Sequence, residues 1–233
     1  MDLTHHFDLN PTIIDAPVAP VPPPTRGSSV MPSHRLNQAL TQALDASDSA
    51  LHLARYVERF HQQNPGRLSS QDAETVESLR QMLTHYVQLL PVLTEDFHRC
   101  CQHPQLQAPV NRLTTIICEF FEAIDPQRLK YGLIGVIDKA YFGHRLFEEF
   151  HDRLRLQAGQ PMIQWDMALA NLIVHSLIGD EYANRLDMAV MEVIDSLDVQ
   201  RVEGATLSAG MTSDFQCLAM HHGLSMDIGS TRT

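Results

Sequence analysis

Lysine is nearly absent from this chain, which contains only Lys130 and Lys139 against fifteen arginines. The formal net charge is −11, and neither the middle of the chain nor either terminal region carries a net positive charge. Nucleic acids and anionic membranes are bound through clusters of cationic side chains. The composition therefore argues against both, and we expect neither a nucleic-acid partner nor a membrane partner.

Long hydrophobic runs are also absent. No stretch approaches the roughly 18 consecutive apolar residues that a membrane-spanning helix requires. Residues 1–10 are polar and acidic, unlike the cationic and then apolar start of a secretory signal. The four cysteines include the adjacent pair Cys100 and Cys101, a spacing that does not suggest a disulfide framework. We therefore predict a reduced, cytoplasmic compartment.

The signatures of the commoner enzyme classes are missing too. The chain contains no Gly-x-Gly-x-x-Gly, no phosphate loop, no Gly-x-Ser-x-Gly elbow, no His-Glu-x-x-His and no Cys-x-x-Cys. Because no catalytic constellation stands out, enzymatic activity is uncertain and a non-enzymatic role is favoured.

The arrangement along the chain indicates one helical domain between two arms. Proline is concentrated in residues 16–24, and since proline lacks the N–H that helices and sheets need, residues 1–33 are predicted to be a disordered Pro-rich arm. Helical periodicity over 34–197 predicts an all-α fold, a single bundle of about six helices. Residues 198–233 are predicted to be a flexible tail. Because apolar residues are scattered along it, a short helix that docks on the bundle or on a partner is the alternative for part of this tail. No pair of strands is predicted.

One predicted helix, over residues 164–178, is apolar around nearly its whole circumference. A helix of this kind is normally buried, so we expect it at the centre of the bundle or under a partner subunit. It contains His175, and a buried imidazole needs a hydrogen-bonding partner, for which Asp180 and Tyr141 are candidates. The alternative role for His175 is that of a haem or metal ligand, which makes it the candidate cofactor-binding residue.

A tetrad of the form Glu-x-Phe-His occurs three times, beginning at Glu58, Glu95 and Glu148. Glutamate and histidine three residues apart on a helix form the pair that di-iron carboxylate bundles use. The candidate metal ligands are Glu95, His98, Glu119, Glu148 and His151.

Helix geometry weighs against a metal site. At about 100° per residue, Phe150 shares a face with its apolar neighbours, whereas Glu148 falls about 160° and His151 about 100° away from it. The other two tetrads behave in the same way. We therefore predict that each phenylalanine is a core residue and that each Glu/His pair is solvated. Metal binding would require a larger assembly that buries the outer faces.

Together these features favour a non-enzymatic interaction or regulatory module that acts through protein–protein contacts, with a protein partner or a homo-oligomer and no cofactor. The alternative is a metal- or haem-binding helical bundle, an oxidoreductase or sensor, that holds iron or haem through the Glu-x-x-His pairs or a buried histidine. A small apolar ligand in the bundle core is a third hypothesis.

Overall fold

The protein is an all-α bundle. The computed structural model describes residues 32–63, 73–100, 104–124, 126–158, 165–197 and 216–218. Over these ranges it contains eight helices: α1 (Pro32–Leu44), α2 (Ser49–Gln63), α3 (Ala73–Cys100), α4 (Pro104–Glu122), α5 (Pro126–Leu129), α6 (Leu133–Ala158), α7 (Ala168–Ile178) and α8 (Asp180–Ser196). Residues 1–31 of the predicted arm, and all of the predicted tail except 216–218, lie outside the described residues.

The apolar periodicity of the sequence predicts one helix over residues 34–63 and one over residues 126–157. The structure divides each of them in two: the first breaks between α1 and α2, and the second breaks between α5 and α6. At the second break Gly132 has a φ of +63°, a left-handed conformation that glycine adopts without strain. The side chain of Ser49 occupies the place that a Cβ at Gly132 would take. A residue other than glycine would therefore strain the backbone at this φ and would also collide with the side chain of Ser49. By contrast, α3 continues through Pro91.

The central helix is α6, which packs against all seven of the other described helices. The apolar helix α7 does not hold that place, and the expectation that it lies at the centre is wrong. It packs mainly against α6 and α8, and the side chain of Leu172 is 41% exposed. Charged residues along α6 give it an amphipathic sequence, but Asp138, Arg145 and Glu148 are paired with side chains of neighbouring helices. Because α6 carries these charges, its sequence is typical of a surface helix and does not indicate its central position.

The last three helices form an up-down-up unit. Contacts advance in the same direction along α6 and α8, from Asp138 with Tyr182, through Tyr141 with Asp187, to Arg153 with Asp195. These two helices therefore run parallel.

Helix α7 runs the opposite way between them. Asn171 contacts Glu148, whereas His175, one turn later, lies against Tyr141, which is earlier in α6. The three helices together form one side of the bundle.

A short strand pair joins the C-terminal region to the bundle. Strand β1 (Trp165–Asp166) pairs in parallel with β2 (Gln216–Cys217), and Leu218 after it is fully buried. Two-residue strands leave no alternating pattern in a sequence, so this pairing was not predicted.

None of the described helices is both long enough and apolar enough to cross a membrane.

Candidate functional site

Polar side chains converge where α6, α7 and α8 meet α3. We call the connected set the polar cluster; its members are Tyr86, Tyr141, Arg145, Glu148, Asn171, His175 and Asp187. The set extends from the bundle core to the solvent.

Helix α6 supplies the middle of the polar cluster. Tyr141, Arg145 and Glu148 follow at intervals of four and three residues, which places them on one face of the helix. The guanidinium of Arg145 donates from Nε to Oδ1 of Asp187 at 3.0 Å and also pairs with Glu148. Tyr141 donates its hydroxyl hydrogen to Asp187 at 3.0 Å. Burial and then the Asp187 charge raise the pKa of Tyr141, so it remains a hydrogen-bond donor.

The inner end of the polar cluster reaches the core. Asn171 donates from Nδ2 to Oε2 of Glu148 at 2.8 Å and accepts a hydrogen bond from the Tyr86 hydroxyl at 2.7 Å. Tyr86 is fully buried, and burial raises its pKa well above the ordinary value. Both the donor and the acceptor of the Asn171 amide therefore have partners, although α7 is mostly apolar. These two hydrogen bonds connect α7 to α3 and to α6.

His175 stands at the outer end of the polar cluster. Its predicted partner Asp180 is confirmed, with 3.5 Å between Nδ1 and Oδ1, and the ring of Tyr141 packs edge-on at 6.1 Å between centroids. Nε2 lies 3.2 Å from Oδ1 of Asn184 and 4.0 Å from Oδ2 of Asp187. His175 is not a core residue, however, because 21% of its side chain is exposed. Both ring nitrogens face protein oxygens, an arrangement that does not favour a haem or metal ligand.

A second polar group secures α5 and α8 to α6. Asp138 is almost fully buried and accepts two hydrogen bonds from Arg128, at 3.0 and 2.9 Å, and one from the Tyr182 hydroxyl at 3.0 Å. Its neighbour Lys139 is also buried, with Nζ 3.5 Å from the centre of the Phe120 ring, and burial lowers the pKa of this amine. These contacts explain how α6 can carry charge and still be central.

The three tetrads share buried phenylalanines, as predicted: Phe60, Phe97 and Phe150 are all in the core. The second and third tetrads meet through these rings, since Phe97 and Phe150 lie 6.0 Å apart and Phe147 packs at 4.5 Å from Phe97. It is therefore phenylalanine, not the Glu/His pair, that brings these tetrads together.

The predicted metal ligands are dispersed over several interfaces. Glu95 is exposed on α3, and His98 contacts Thr114 of α4 at 3.2 Å. Glu119, on α4, has a buried carboxylate oxygen without a hydrogen-bond partner. Glu148 belongs to the polar cluster on the other side of α6. In the part of the chain that the structure describes, no group of three or more His, Cys, Asp or Glu could hold a metal ion.

The expectation of solvated Glu/His pairs is correct for the glutamates of the first two tetrads and wrong for the third. Glu58 and Glu95 are exposed, but His151 is buried and Glu148 is half-buried against α7. The difference arises because α6 packs against all seven of the other described helices, so part of its polar side is covered by them. Burial lowers the pKa of His151, whose Nε2 has no hydrogen-bond partner.

His144 is a further buried imidazole on α6 that the sequence did not single out. Its Nε2–H donates to the backbone oxygen of Tyr86 at 2.6 Å, while Nδ1 is buried without a partner. Burial lowers the pKa of His144 to about 4, so the imidazole is neutral at physiological pH.

Exposed apolar side chains lie beside the polar cluster on its solvent side. Met188 is 67% exposed and Met191 42% exposed, one turn apart on α8. Since α7 runs antiparallel to α8 and His175 contacts Asn184, Leu172 lies level with Met188 across the hairpin. We call the surface formed by Leu172, Met188 and Met191 the methionine face. This surface was not predicted from the sequence, although the placement of Met188 and Met191 among the polar residues of one helix face indicates an apolar patch.

Comparison with protein-family models, with curated proteins and with solved structures finds no match to this chain. The site must therefore be interpreted from its own chemistry. Donors and acceptors of the polar cluster are mostly used on one another, so the cluster fixes the relative positions of α6, α7 and α8. The methionine face, in contrast, leaves apolar side chains of the described residues exposed to solvent.

Proposed function

We propose that the protein is a non-enzymatic interaction module that binds a protein partner through the methionine face. The single observation that supports this is the exposure of Leu172, Met188 and Met191 on adjoining turns of two helices. Among the described residues, five large hydrophobic side chains are exposed, and three of them belong to this surface. The other two, Leu51 and Val92, lie on α2 and α3.

The chemistry of the surface suits association. Fully burying a methionine or leucine side chain contributes about 1.5 to 3 kcal/mol, and these three side chains are 41% to 67% exposed, so covering all three contributes about 2 to 4 kcal/mol to a binding free energy. Methionine is flexible and polarisable, and it is over-represented at surfaces that accept partners of varied shape. Beneath it, the polar cluster holds α7 and α8 in place, which reduces the ordering that binding would require.

The polar cluster beside this surface favours an interaction role over the metal or haem alternative. Glu148 is hydrogen-bonded within the polar cluster, and both ring nitrogens of His175 face side-chain oxygens. A cytoplasmic location remains part of the proposal, and the buried free thiol of Cys118 is in keeping with a reducing environment.

The test is a selection of random 16-residue peptides displayed on phage, carried out on the full chain. Enriched peptides are then measured against the wild type, against Met188→Gln/Met191→Gln, and against the matched control Val92→Gln on α3. We expect peptides whose affinity falls about tenfold or more on the double variant and less than twofold on the control. If every enriched peptide binds the double variant as well as the wild type, the proposed function is wrong.

A further inference from the structure

We infer that the partner of the methionine face is a basic amphipathic helix, an inference that rests on the proposed function. The evidence is the arrangement of carboxylates on α8. This helix carries five acidic residues and only one arginine. The acidic residues are Asp180, Glu181, Asp187, Glu192 and Asp195.

These carboxylates flank the methionines on both sides. With the buried Leu186 at 0° and about 100° per residue, Met191 and Met188 lie near 140° and 200° around α8. Asp180 and Asp187 lie near 120° and 100°, on one side of them. Glu192 and Glu181 lie near 240° and 220°, on the other, and Asp195 lies between the methionines at about 180°. The two methionines, which share their strip of α8 with Asn184 one turn before and Asp195 one turn after, are therefore flanked by two acidic rows.

Part of this charge is balanced within the protein. Arg145 pairs with Asp187, and Arg153 pairs with Asp195 at 2.6 Å. The same two arginines also pair with Glu148 and Glu149 of α6, so they do not neutralise α8. Glu181 is 91% exposed, with the guanidinium of Arg185 only at 3.9 Å, and Glu192 is exposed too. The surface remains negative.

An amphipathic helix matches this pattern on both flanks. Its apolar residues, at intervals of three and four, would lie on the methionine face, and lysine or arginine on either side of that stripe would reach the two acidic rows. An extended strand alternates its side chains between two opposite faces, which does not give a central apolar stripe with basic side chains on both flanks.

Charge also argues against occupants from the chain itself. Residues 1–33 and 198–233 each carry a net charge of −2. A second copy of the face would place carboxylates opposite carboxylates, which destabilises an interface. Charge complementarity therefore selects a foreign, basic segment.

The experiment uses three fluorescent 18-residue peptides and the full-length protein, with binding measured by fluorescence anisotropy. The probe has leucine at helix positions i, i+3, i+4 and i+7 and lysine elsewhere; its controls are the same pattern with glutamate and a scrambled leucine/lysine sequence. We expect the leucine/lysine helix to bind at least tenfold more tightly than either control. Affinity should fall about tenfold in Met188→Gln/Met191→Gln and several-fold in Glu181→Gln/Glu192→Gln, but less than twofold in Val92→Gln.

Other results would overturn the inference in distinguishable ways. If the scrambled peptide binds as tightly as the leucine/lysine helix, or if the methionine substitutions do not change the affinity, the peptides bind by charge attraction alone and not at a specific site. Preference for the glutamate helix, or for acidic peptides in the phage selection, would leave the proposed function standing with another partner class. Light scattering that shows a dimer abolished by Met188→Gln/Met191→Gln would identify a second copy as the occupant. If no peptide in either experiment depends on the methionines, both proposals are wrong.

Discussion

Helix α6 meets its two main neighbours, α3 and α8, in opposite ways. Towards α3 the contact is aromatic, with Phe97 packed between Phe147 and Phe150 of α6. Towards α8 the contact adds polar pairs to the buried apolar residues of that helix, with Asp187 bound by both Tyr141 and Arg145. The aromatic side is fully buried, whereas Arg145 and Asp187 retain 25% and 29% of their side-chain exposure.

The contacts of α6 with α3 and with α8 therefore have different roles: one mainly stabilises the fold, and the other mainly fixes the positions of the helices. Apolar burial supplies free energy without direction, so we expect the aromatic contacts with α3 to contribute more to stability than the polar contacts with α8. Hydrogen-bonded charges contribute less net free energy but hold neighbouring helices in one register. The methionine face lies on the polar side, where the position of α8 is fixed by directional contacts. Four predictions test this division, beginning with the largest expected effect.

The largest loss should come from the aromatic side. Phe147→Ala removes the ring that packs 4.5 Å from Phe97, and a cavity of this kind costs about 3 to 5 kcal/mol in the free energy of unfolding. Urea denaturation followed by circular dichroism measures the change. Phe147→Leu is the control and should cost less than half as much. A loss below about 1 kcal/mol for the alanine variant would place the stability elsewhere.

Acidification should act next, through His144 on the same side. Its pKa falls from 6.5 to about 4 on folding, so between these values the unfolded chain binds the extra proton and the free energy of unfolding falls as pH is lowered. The shift amounts to about 3 kcal/mol lost between pH 6.5 and pH 4. His151 shifts in the same direction.

Urea denaturation at several pH values measures the acid effect in the wild type and in His144→Gln. The glutamine amide can still donate to the Tyr86 backbone oxygen but does not titrate, so the curve of the variant should be flatter in this window. Parallel curves for the two proteins would show that His144 does not carry the effect.

A smaller effect should follow on the polar side. Asp187→Asn removes the charge opposite Arg145 and weakens the acceptor of the Tyr141 hydroxyl, at a cost of about 1 to 2 kcal/mol in unfolding free energy because the site is partly solvated. Glu148 also pairs with Arg145, so Glu148→Gln removes a second negative charge from the same arginine. A double-mutant cycle should therefore give a coupling of at least 0.5 kcal/mol in unfolding free energy. Additivity within about 0.3 kcal/mol would show that the polar cluster does not act as a unit.

The smallest effect on stability should come from the methionine face itself. Met188→Gln/Met191→Gln changes exposed side chains, so the free energy of unfolding should move by no more than about 0.5 kcal/mol. A calorimetric scan beside the wild type measures this. A larger loss would mean that these side chains support the fold, and the binding experiments would then need a milder variant.

Much of the fold could be predicted from the sequence, because the pattern of apolar residues in helices is local. The all-α class and the buried Phe60, Phe97 and Phe150 followed from spacing alone. The central position of α6 did not, since two of its charged residues, Arg145 and Arg153, bind partners more than forty residues away, Asp187 and Asp195.

The candidate site was accessible only in part. Asp180, one of the two candidate partners named for His175, follows it by only five residues and lies 3.5 Å from it. Tyr86 and Asn171 lie 85 residues apart, and nothing local links them. The methionine face depends on which side of α8 is left uncovered, and that is decided by how α6 and α7 pack.

The strand pair at Trp165 and Asp166 has a consequence for how the molecule opens. Within the described part of the chain, a two-residue strand pair and the buried side chain of Leu218 attach residues 216–218 to the bundle. Burying one leucine contributes about 1.5 to 3 kcal/mol, well below the 5 to 15 kcal/mol of a whole domain. This segment should therefore detach while every helix stays folded, and its amide hydrogens should exchange with solvent long before those of α6.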